Sequence, residues 1–365
     1  MEQKKVCVGV VGAGAISDIY LKNMINRFDN LYVKSICAAH IENAQKKAQE
    51  YGIQAVTMEE MYNDPEIRMI VNLTPAHVHY DVIKRALEHG KHVYTEKTLT
   101  DDLNKSAELV RLAKEKGLYL GSAPDTFMGA ALQTARSAID SGMLGEIHSF
   151  AVSANRNNDI LLSLFDFLRK PGGGIVCDYA VYYVTALVSL LGPAARVGSI
   201  VGYPYPTHVN CVPGTPLYGQ TMDTPNESQV NAVLQFENGV TGTFHIDADS
   251  VVEDQAYFTI YGTKGILMLT DPNQFGGQVR FLPNTPNPEE RQEASVLQSV
   301  NEYSDNSRGI GPADLADTIL NGTPLRPSAE MAYHVHEVLN AMLEGGISGR
   351  FTDIRSSCVR PEPLR

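Results

Sequence analysis

The chain has 365 residues, a formal net charge of −12 and a pI near 5.3. Because a single hydrophobic core stops growing at roughly 250–300 residues, this length predicts about two domains. An acidic chain lacks the basic field that attracts nucleic acid or an anionic membrane, so we expect neither as a partner. A small-molecule ligand is favoured instead.

The cysteines and the apolar runs indicate the cellular compartment that we expect for the protein. Five cysteines are scattered along the chain without a C-x-x-C pair, which is typical of reduced thiols in a cytoplasmic protein without disulfides or bound metal. The longest apolar run covers residues 181–191, far short of the ~20 residues that a membrane-spanning helix needs. We therefore expect a cytoplasmic protein with no membrane segment.

Short β-rich runs alternate with helical patterns in the first third of the chain. The runs are residues 6–11, 32–38, 69–73, 92–96 and 118–122. Continuous apolar runs of this length read as strands buried on both faces, and strict alternation with helices implies right-handed crossovers. The pattern predicts an α/β fold class, with an N-terminal Rossmann domain, a doubly wound parallel sheet, over residues 1–123.

The rhythm changes after residue 123. One helical pattern over about 129–142 is followed by alternating runs that are separated by ENG and GTKG turn signals, as in antiparallel strands. Further helices are predicted over 178–191, 309–321 and 328–344, and Pro-rich loops over 203–216 and 283–288. Residues 124–365 are therefore predicted to form an α+β substrate-binding domain with a mainly antiparallel sheet.

The stretch GAGAIS directly follows the first predicted strand and opens the first helix. In a dinucleotide fingerprint the first glycine makes the tight turn and the second lets the backbone approach the pyrophosphate. The helix N-terminus then offers free N–H groups to the phosphates. We therefore predict a dinucleotide site at Gly12, Gly14, Ala15 and Ile16, with Ser17 as the small residue that permits close helix packing.

The second strand ends at Cys37-Ala38-Ala39-His40. A carboxylate here would bind the ribose of NAD, and an arginine would accept the 2′-phosphate of NADP. Neither is present, so NAD is favoured and NADP is not excluded. Ala38 and His40 are the candidate ribose contacts, and a solvated loop position is the alternative for His40.

The fourth main strand ends in Glu96 and Lys97. Side chains at the carboxyl ends of strands in an open α/β sheet project into the ligand crevice. A lysine there can take the proton from a hydroxyl while its carbon gives up hydride. Lys97 is therefore the predicted acid/base and Glu96 a predicted neighbour of the cofactor; a surface salt bridge is the alternative for Lys97.

Four stretches together resemble the Gfo/Idh/MocA family of NAD(P)-dependent oxidoreductases. They are GAGAIS, TPAHVHYDVIKRALEHGKHVYTEK, SGMLGEI and GGGIVCD, in this order along nearly the whole chain. The resemblance implies that Lys97 is the acid/base, with Thr98 where proline is usual, and that Thr74, Pro75 and His79 also contact the cofactor. It further implies an open antiparallel sheet in the second domain, used for homo-oligomer contacts.

The family motif places Asp and His toward the substrate, which here correspond to Asp178 and Tyr182. Residues four apart share one helix face, so the two side chains are expected together. Glycines 172–174 would let the backbone approach the ligand. As alternatives, Asp178 is a helix N-cap, and Tyr182 and Tyr183 are core aromatic residues. Lys97, Asp178 and Tyr182 form the predicted catalytic set, with Tyr183 as a substrate contact.

Polar residues after other strands complete the predicted site: Asp125, Asn155 and Arg156. Such groups suit a ligand with many hydroxyls. By resemblance, we expect hydride transfer between nicotinamide and a secondary hydroxyl or ketone of a sugar, glycoside or cyclitol, for example C3 of a glucoside. The alternatives are a dihydrodiol dehydrogenase or other carbonyl reductase, and a cofactor-binding regulator without catalysis.

Overall fold

The computed structural model describes residues 5–252 and 255–364. The chain divides into two compact units. The first comprises the chain up to Asp125 together with Asn306–Tyr333, and the second comprises Thr126–Asp305 and the chain from His334 onward. Residues 306–333, which the sequence pattern assigned to the second domain, thus belong to the first unit.

The first unit contains a six-stranded parallel sheet in the order β3-β2-β1-β4-β5-β6. Its strands are β1 (Val6–Val11), β2 (Leu31–Cys37), β3 (Gln54–Ala55), β4 (Met69–Asn72), β5 (His92–Thr95) and β6 (Leu120–Ser122). This strand order confirms the predicted Rossmann sheet. β1 and β4 are buried along nearly their whole length, because helices cover both sheet faces.

Helices follow the strands in alternation. They are α1 (Ser17–Asn26), α2 (Ile41–Tyr51), α3 (Met58–Asn63), α4 (Ala76–Glu88) and α5 (Leu103–Glu115). The short elements β3 and α3 were not predicted from the sequence. A capping box begins α3, in which the side chain of Thr57 accepts from the backbone N–H of Glu60 and the side chain of Glu60 accepts from that of Thr57.

The second unit is built around a mixed, mostly antiparallel sheet of nine strands. The helices of this unit include α6 (Ala130–Asp140), α7 (Asn158–Leu164) and α8 (Val181–Leu191), and the π-helical turn Val176–Ala180 directly precedes α8. Its strands are β7 (Ile147–Asn155), β8 (Ala194–Gly202), β9 (Thr207–Val209), β10 (Thr221–Asp223), β11 (Gln229–Phe236), β12 (Thr241–Asp247), β13 (Ala256–Gly262), β14 (Gly265–Leu269), β15 (Arg280–Pro283), β16 (Ser295–Val296) and β17 (Thr352–Asp353).

The large sheet has the order β16-β15-β14-β13-β7-β12-β11-β8-β17, and the pair β12 and β7 is parallel. Burial alternates along β11, so one face of the sheet packs on the core and the other is exposed. Strands β9 and β10 form a separate antiparallel hairpin. This hairpin corrects the prediction of a plain loop over 203–216, and His208 Nδ1 ties it to Asp159 Oδ1 of α7 at 2.7 Å.

The segment that returns to the first unit contains α9 (Ile310–Asn321) and the start of α10 (Ala329–Ser348). Asn23 Nδ2 donates to the backbone carbonyls of Asn306 and Arg308, and the Ser122 N–H donates to Pro327 O at 2.9 Å. These contacts fix the segment against α1 and β6. Within the part of the chain that the structure describes, no helix is long and apolar enough to cross a membrane.

Candidate active site

The predicted phosphate loop is a tight turn between β1 and α1. Gly12 has φ +111°, and its N–H donates to Cys37 O at 2.8 Å. A Cβ at Gly12 would lie 2.8 Å from the backbone carbonyl of Leu73, so only glycine fits here. A Cβ at Gly14 would meet nothing within 4 Å, and both Gly14 and Ala15 are exposed. The loop therefore leaves open space beside a helix N-terminus, where a pyrophosphate fits.

The end of β2 carries small or uncharged side chains. Ala38 is half-buried, whereas Ala39 and His40 are exposed. His40 stands at the N-cap position of α2, but its side chain makes no capping hydrogen bond. The predicted ribose contacts of Ala38 and His40 therefore remain compatible with their positions and stay predictions.

Asn72, at the end of β4, organises the neighbouring strand ends. Its Nδ2 donates to Thr95 Oγ1 of β5 at 3.0 Å, and its Oδ1 accepts from Thr74 Oγ1 at 2.7 Å. Asn72 is fully buried, whereas Thr74 is half-buried and Pro75 is exposed. Thr74 and Pro75 thus follow β4 at the carboxyl edge of the sheet, and their contact with the cofactor stays a prediction.

His79 links the two loops that follow β4 and β5. Its Nδ1 lies 2.7 Å from Thr98 O and its Nε2 lies 2.7 Å from Thr74 O. The ring is 0% exposed. With both ring nitrogens engaged by backbone carbonyls, His79 supports the loops, and we do not retain its predicted direct contact with the cofactor.

Glu96 and Lys97 follow β5, and both side chains are half-buried. Tyr20 Oη of α1 donates to Glu96 Oε1 at 2.6 Å, and the Lys97 N–H lies 3.2 Å from Glu96 Oε2. The peptide bond between Lys97 and Thr98 is cis. Glu96 is therefore held by the helix that follows the phosphate loop, which connects the predicted cofactor site to the backbone of Lys97.

Asp125 is almost fully buried at 1% exposure. Its Oδ2 accepts from the backbone N–H groups of Gly309 and Gly311 at 3.2 and 3.1 Å. Burial raises the pKa of this carboxyl to about 6. These contacts give Asp125 a structural role at the start of α9, so we do not carry its predicted substrate contact further.

In the second unit, Asp178 lies in the π-helical turn, and its N–H donates to Gly174 O at 2.8 Å. The N-cap residue of this turn is Ile175, and the N-cap residue of α8 is Ala180. The alternative in which Asp178 is an N-cap is therefore wrong. Its side chain is half-buried, and its predicted contact with the substrate stays a prediction.

The glycines before this turn make room for protein atoms rather than for a ligand alone. A Cβ at Gly173 would lie 2.5 Å from Phe167 O, and a Cβ at Gly174 would lie 2.1 Å from Glu227 Oε1. Gly172 has φ +80° and open space around it. The expectation that all three glycines serve the approach of a ligand is thus replaced for Gly173 and Gly174 by close packing.

The two tyrosines of α8 have different surroundings. Tyr183 is 0% exposed, and its ring packs against Tyr179, Phe244 and Phe258 at centroid distances of 5.4, 6.2 and 6.0 Å. This position fits the alternative of a core aromatic residue, so Tyr183 leaves the substrate-binding set. Tyr182 retains 8% exposure and stays a candidate.

Asn155 and Arg156 lie at the end of β7. Asn155 Nδ2 donates to Ser250 Oγ at 3.1 Å, and the Arg156 guanidinium stacks over the Tyr179 ring at 4.8 Å. Tyr179 Oη donates to Asp271 Oδ2 at 2.9 Å. Both predicted residues are half-buried, and their predicted substrate contacts remain predictions.

Glu227, which no sequence pattern indicated, lines a small cavity together with Asp178. Glu227 lies in a polar segment before β11 and gives no recognisable motif. Its importance depends on its contact with Gly174, 53 positions earlier in the chain. Within residues 5–252 and 255–364, no group of three or more His, Cys, Asp or Glu residues could hold a metal ion.

Comparison with known proteins agrees with these features. The model of the oxidoreductase family with an NAD-binding Rossmann fold (GFO_IDH_MocA) matches residues 6–123, and that of the GFO/IDH/MocA C-terminal domain matches residues 132–268. An uncharacterized oxidoreductase of Escherichia coli (strain K12), YhhX, is 33% identical over 193 residues, 50% of this chain and 52% of that protein. The chain thus matches about half the length of this relative.

A second relative matches over more of its length. It is the dTDP-3,4-didehydro-2,6-dideoxy-alpha-D-glucose 3-reductase of Streptomyces violaceoruber, 26% identical over 75% of this chain and 80% of that protein. Among solved structures, a levoglucosan dehydrogenase in complex with NADH and L-sorbose shares the fold, with a TM-score of 0.84 at 18% identity over 96% of this chain and 99% of that chain. The two family models cover more than half of the sequence, and the chain therefore belongs to the Gfo/Idh/MocA family of oxidoreductases.

Proposed function

We propose that this protein transfers a hydride between nicotinamide and a secondary hydroxyl or ketone of a sugar, glycoside or cyclitol. The observation that carries the proposal is the edge of the parallel sheet: the open turn at Gly14 follows β1, and Lys97 follows β5. Carboxyl ends of parallel strands share one edge, which is where ligands bind in open α/β sheets. The cofactor, when bound, supplies the hydride acceptor or donor.

Residues of the first unit would hold the cofactor. The backbone around Gly14, Ala15 and Ile16 offers N–H groups to the phosphates, because nothing fills the space beside Gly14. Thr74, Pro75 and Glu96 lie further along the same edge. The end of β2 carries no carboxylate and no arginine, so we propose NAD as the cofactor and keep NADP as the alternative.

Lys97 would exchange the proton of the reacting oxygen. In oxidation its amine accepts the hydroxyl proton as the hydride leaves the same carbon, and in reduction its ammonium returns that proton. The hydrogen bond from Tyr20 holds the Glu96 carboxylate beside the backbone N–H of Lys97. Asp178 and Tyr182 would bind substrate hydroxyls, Asp178 as acceptor and Tyr182 through its phenol.

The position oxidised is also part of the proposal. We propose a ring carbon such as C3 of a glucoside, and the similarity to a relative named as a sugar 3-reductase supports this choice. The two half-buried polar residues at the end of β7, Asn155 and Arg156, suit a substrate with several hydroxyls.

A substrate panel tests this function. Purified protein is mixed with NAD or NADP and with sugars, glycosides, cyclitols and an aromatic dihydrodiol, and NAD(P)H absorbance is followed in both directions. We expect turnover of at least one polyhydroxylated compound. Turnover of the dihydrodiol alone would favour the carbonyl-reductase alternative, and NADH binding without any turnover would identify a regulator.

We further propose that the protein is a cytoplasmic homo-oligomer. The scattered cysteines support a reducing compartment. On the exposed face of the large sheet, Ile200, Val233 and Tyr257 are 68%, 44% and 50% exposed, and such an apolar face suits contact with a second copy. Light scattering coupled to gel filtration tests this, and a monomer at micromolar concentration would contradict it.

A further inference from the structure

A carboxylate that no motif predicts lies at the start of the helix that carries Asp178. Glu227 is 9% exposed, and its Oε1 accepts from the Val176 N–H at 3.1 Å. Its backbone carbonyl accepts from the Ile175 N–H, also at 3.1 Å. Glu227 thus satisfies two N–H groups of the first helical turn, where the helix dipole favours a negative charge.

The hydrogen bond that caps the helix uses only part of the acceptor capacity of the Glu227 carboxylate. A carboxylate has about four acceptor positions, and the bond to Val176 occupies one of them. Burial raises the pKa of Glu227, because a buried charge loses solvation that the hydrogen bonds from backbone N–H groups do not replace. A partner that donates to Oε2 would therefore stabilise the charged group.

The chain around Glu227 is shaped to keep the carboxylate at this place. A Cβ on Gly174 would lie 2.1 to 2.3 Å from three atoms of the Glu227 carboxylate. Asn226 Nδ2 donates to the carbonyls of Leu168 and Lys170 at 2.7 and 2.8 Å, which ties the neighbouring loop to the glycine-rich segment. The carboxylate is consequently fixed and not a mobile surface group.

Glu227 and Asp178 both line a cavity of about 20 Å³ in the second unit. A cavity needs roughly 10–15 Å³ to hold a water molecule, so this one has room for one hydroxyl oxygen. The rest of the wall consists of apolar residues and glycines together with three uncharged polar residues, Asn158, Thr224 and Asn226. The amides of Asn158 and Asn226 and the hydroxyl of Thr224 already donate to other protein oxygens, so Glu227 is the group of this wall that offers an acceptor to a ligand that donates.

We propose that Glu227 binds one hydroxyl group of the substrate, in a subsite beside Asp178 that accepts neutral polyhydroxylated compounds and excludes carboxylate or phosphate groups. A hydroxyl donates to Glu227 and fills the cavity, whereas an anion there would face two acidic side chains. Repulsion of the wrong charge is an effective source of specificity. This inference rests on the proposed function for the identity of the ligand as substrate.

Binding to the NADH-loaded protein tests the subsite without requiring turnover. The probes are glucose, methyl glucoside and myo-inositol, with glucuronate and glucose 6-phosphate as anionic counterparts, and affinity is measured by calorimetry. We expect the wild type to bind a neutral probe at least about 10-fold more tightly than the anionic ones. Glu227→Gln keeps an acceptor for the Val176 N–H but loses the charge. It should therefore weaken the binding of neutral probes by about 10-fold and reduce the ratio between the affinities for neutral and anionic probes.

A matched variant separates a local effect from a general loss of negative charge. Glu293 is exposed in the same unit, and Glu293→Gln should bind every probe like the wild type. Melting temperatures and NADH affinities of both variants are measured in parallel. NADH affinity should match that of the wild type for both variants, and the melting temperature should do so for Glu293→Gln.

Two results would overturn the inference. One is a Glu227→Gln variant that binds all probes like the wild type, with or without a lower melting temperature, since Glu227 would then be a cap alone. The other is a wild type that binds no neutral probe. Failure of the proposed function has a different signature: neutral probes bind and respond to Glu227→Gln, yet no member of the wider substrate panel is turned over.

Discussion

The replacement Gly14→Ala tests the phosphate loop without disturbing the fold. In the protein alone, the added methyl group meets no heavy atom within 4 Å, and Gly14 is not among the glycines with positive φ. We therefore expect the free energy of unfolding to change by less than about 1 kcal/mol. With cofactor, the methyl group stands where the backbone must approach the pyrophosphate, so NADH affinity should fall by at least about 10-fold, or ~1.4 kcal/mol.

Gly12→Ala is the matched comparison, because this replacement should lower the free energy of unfolding of the protein itself. Its Cβ would lie 2.8 Å from the Leu73 carbonyl, at a backbone φ of +111°. The left-handed conformation costs about 1–2 kcal/mol and the overlap about 1–3 kcal/mol, so unfolding should become easier by roughly 2–5 kcal/mol.

Thermal unfolding without cofactor and titration with NADH, followed by nicotinamide fluorescence, separate these effects. Wild-type NADH affinity in Gly14→Ala would refute the predicted phosphate site, because the phosphates would then lie elsewhere. A melting temperature for Gly14→Ala as low as that for Gly12→Ala would refute the claim that the space beside Gly14 is open.

Two further predictions concern side chains in separate units. Tyr182→Phe should lower turnover by less than Lys97→Ala does, as measured by initial rates at saturating cofactor; an equal loss would mean that the phenol carries the proton. For Asp125, burial raises the folded-state pKa from 3.8 to about 6, so the folded state holds this proton more tightly. Its stabilising contribution is full below pH 3.8 and is lost as the pH rises through about 6, with a slope of up to about 1.4 kcal/mol per pH unit. Asp125→Asn removes that slope while its Oδ1 still accepts from Gly309 and Gly311, so the melting temperature of the variant relative to the wild type should rise between pH 4.5 and 6.5; a constant difference would contradict this.

Local patterns predicted the parts of the fold that depend on neighbours in the chain. The strand at 6–11 and the glycines that follow it are coded within a dozen residues, and the structure has β1 at Val6–Val11. The helix α3 was missed although T-x-x-E at Thr57 and Glu60 is a capping-box pattern. Six helical residues carry too weak a periodicity to stand out against a polar loop.

The features that could not be predicted from the sequence depend on contacts between residues that are distant in the chain. The burial of His79, Asp125 and Tyr183 is set by packing against other elements, and no local pattern distinguishes such supporting residues from ligand contacts. The contact between Gly174 and the Glu227 carboxylate has no signature in either local sequence. The return of residues 306–333 to the first unit is likewise a property of the folded chain.

The most direct test of the proposed chemistry is the rate of hydride transfer in Lys97→Ala, measured in a single turnover by NADH absorbance with the substrate that the panel identifies. NADH affinity is determined on the same samples, and Lys116→Ala, which removes an exposed lysine of the first unit, serves as the control. We predict a rate at least about 100-fold lower for Lys97→Ala, with NADH affinity and the control unchanged. A wild-type rate in Lys97→Ala would contradict the account.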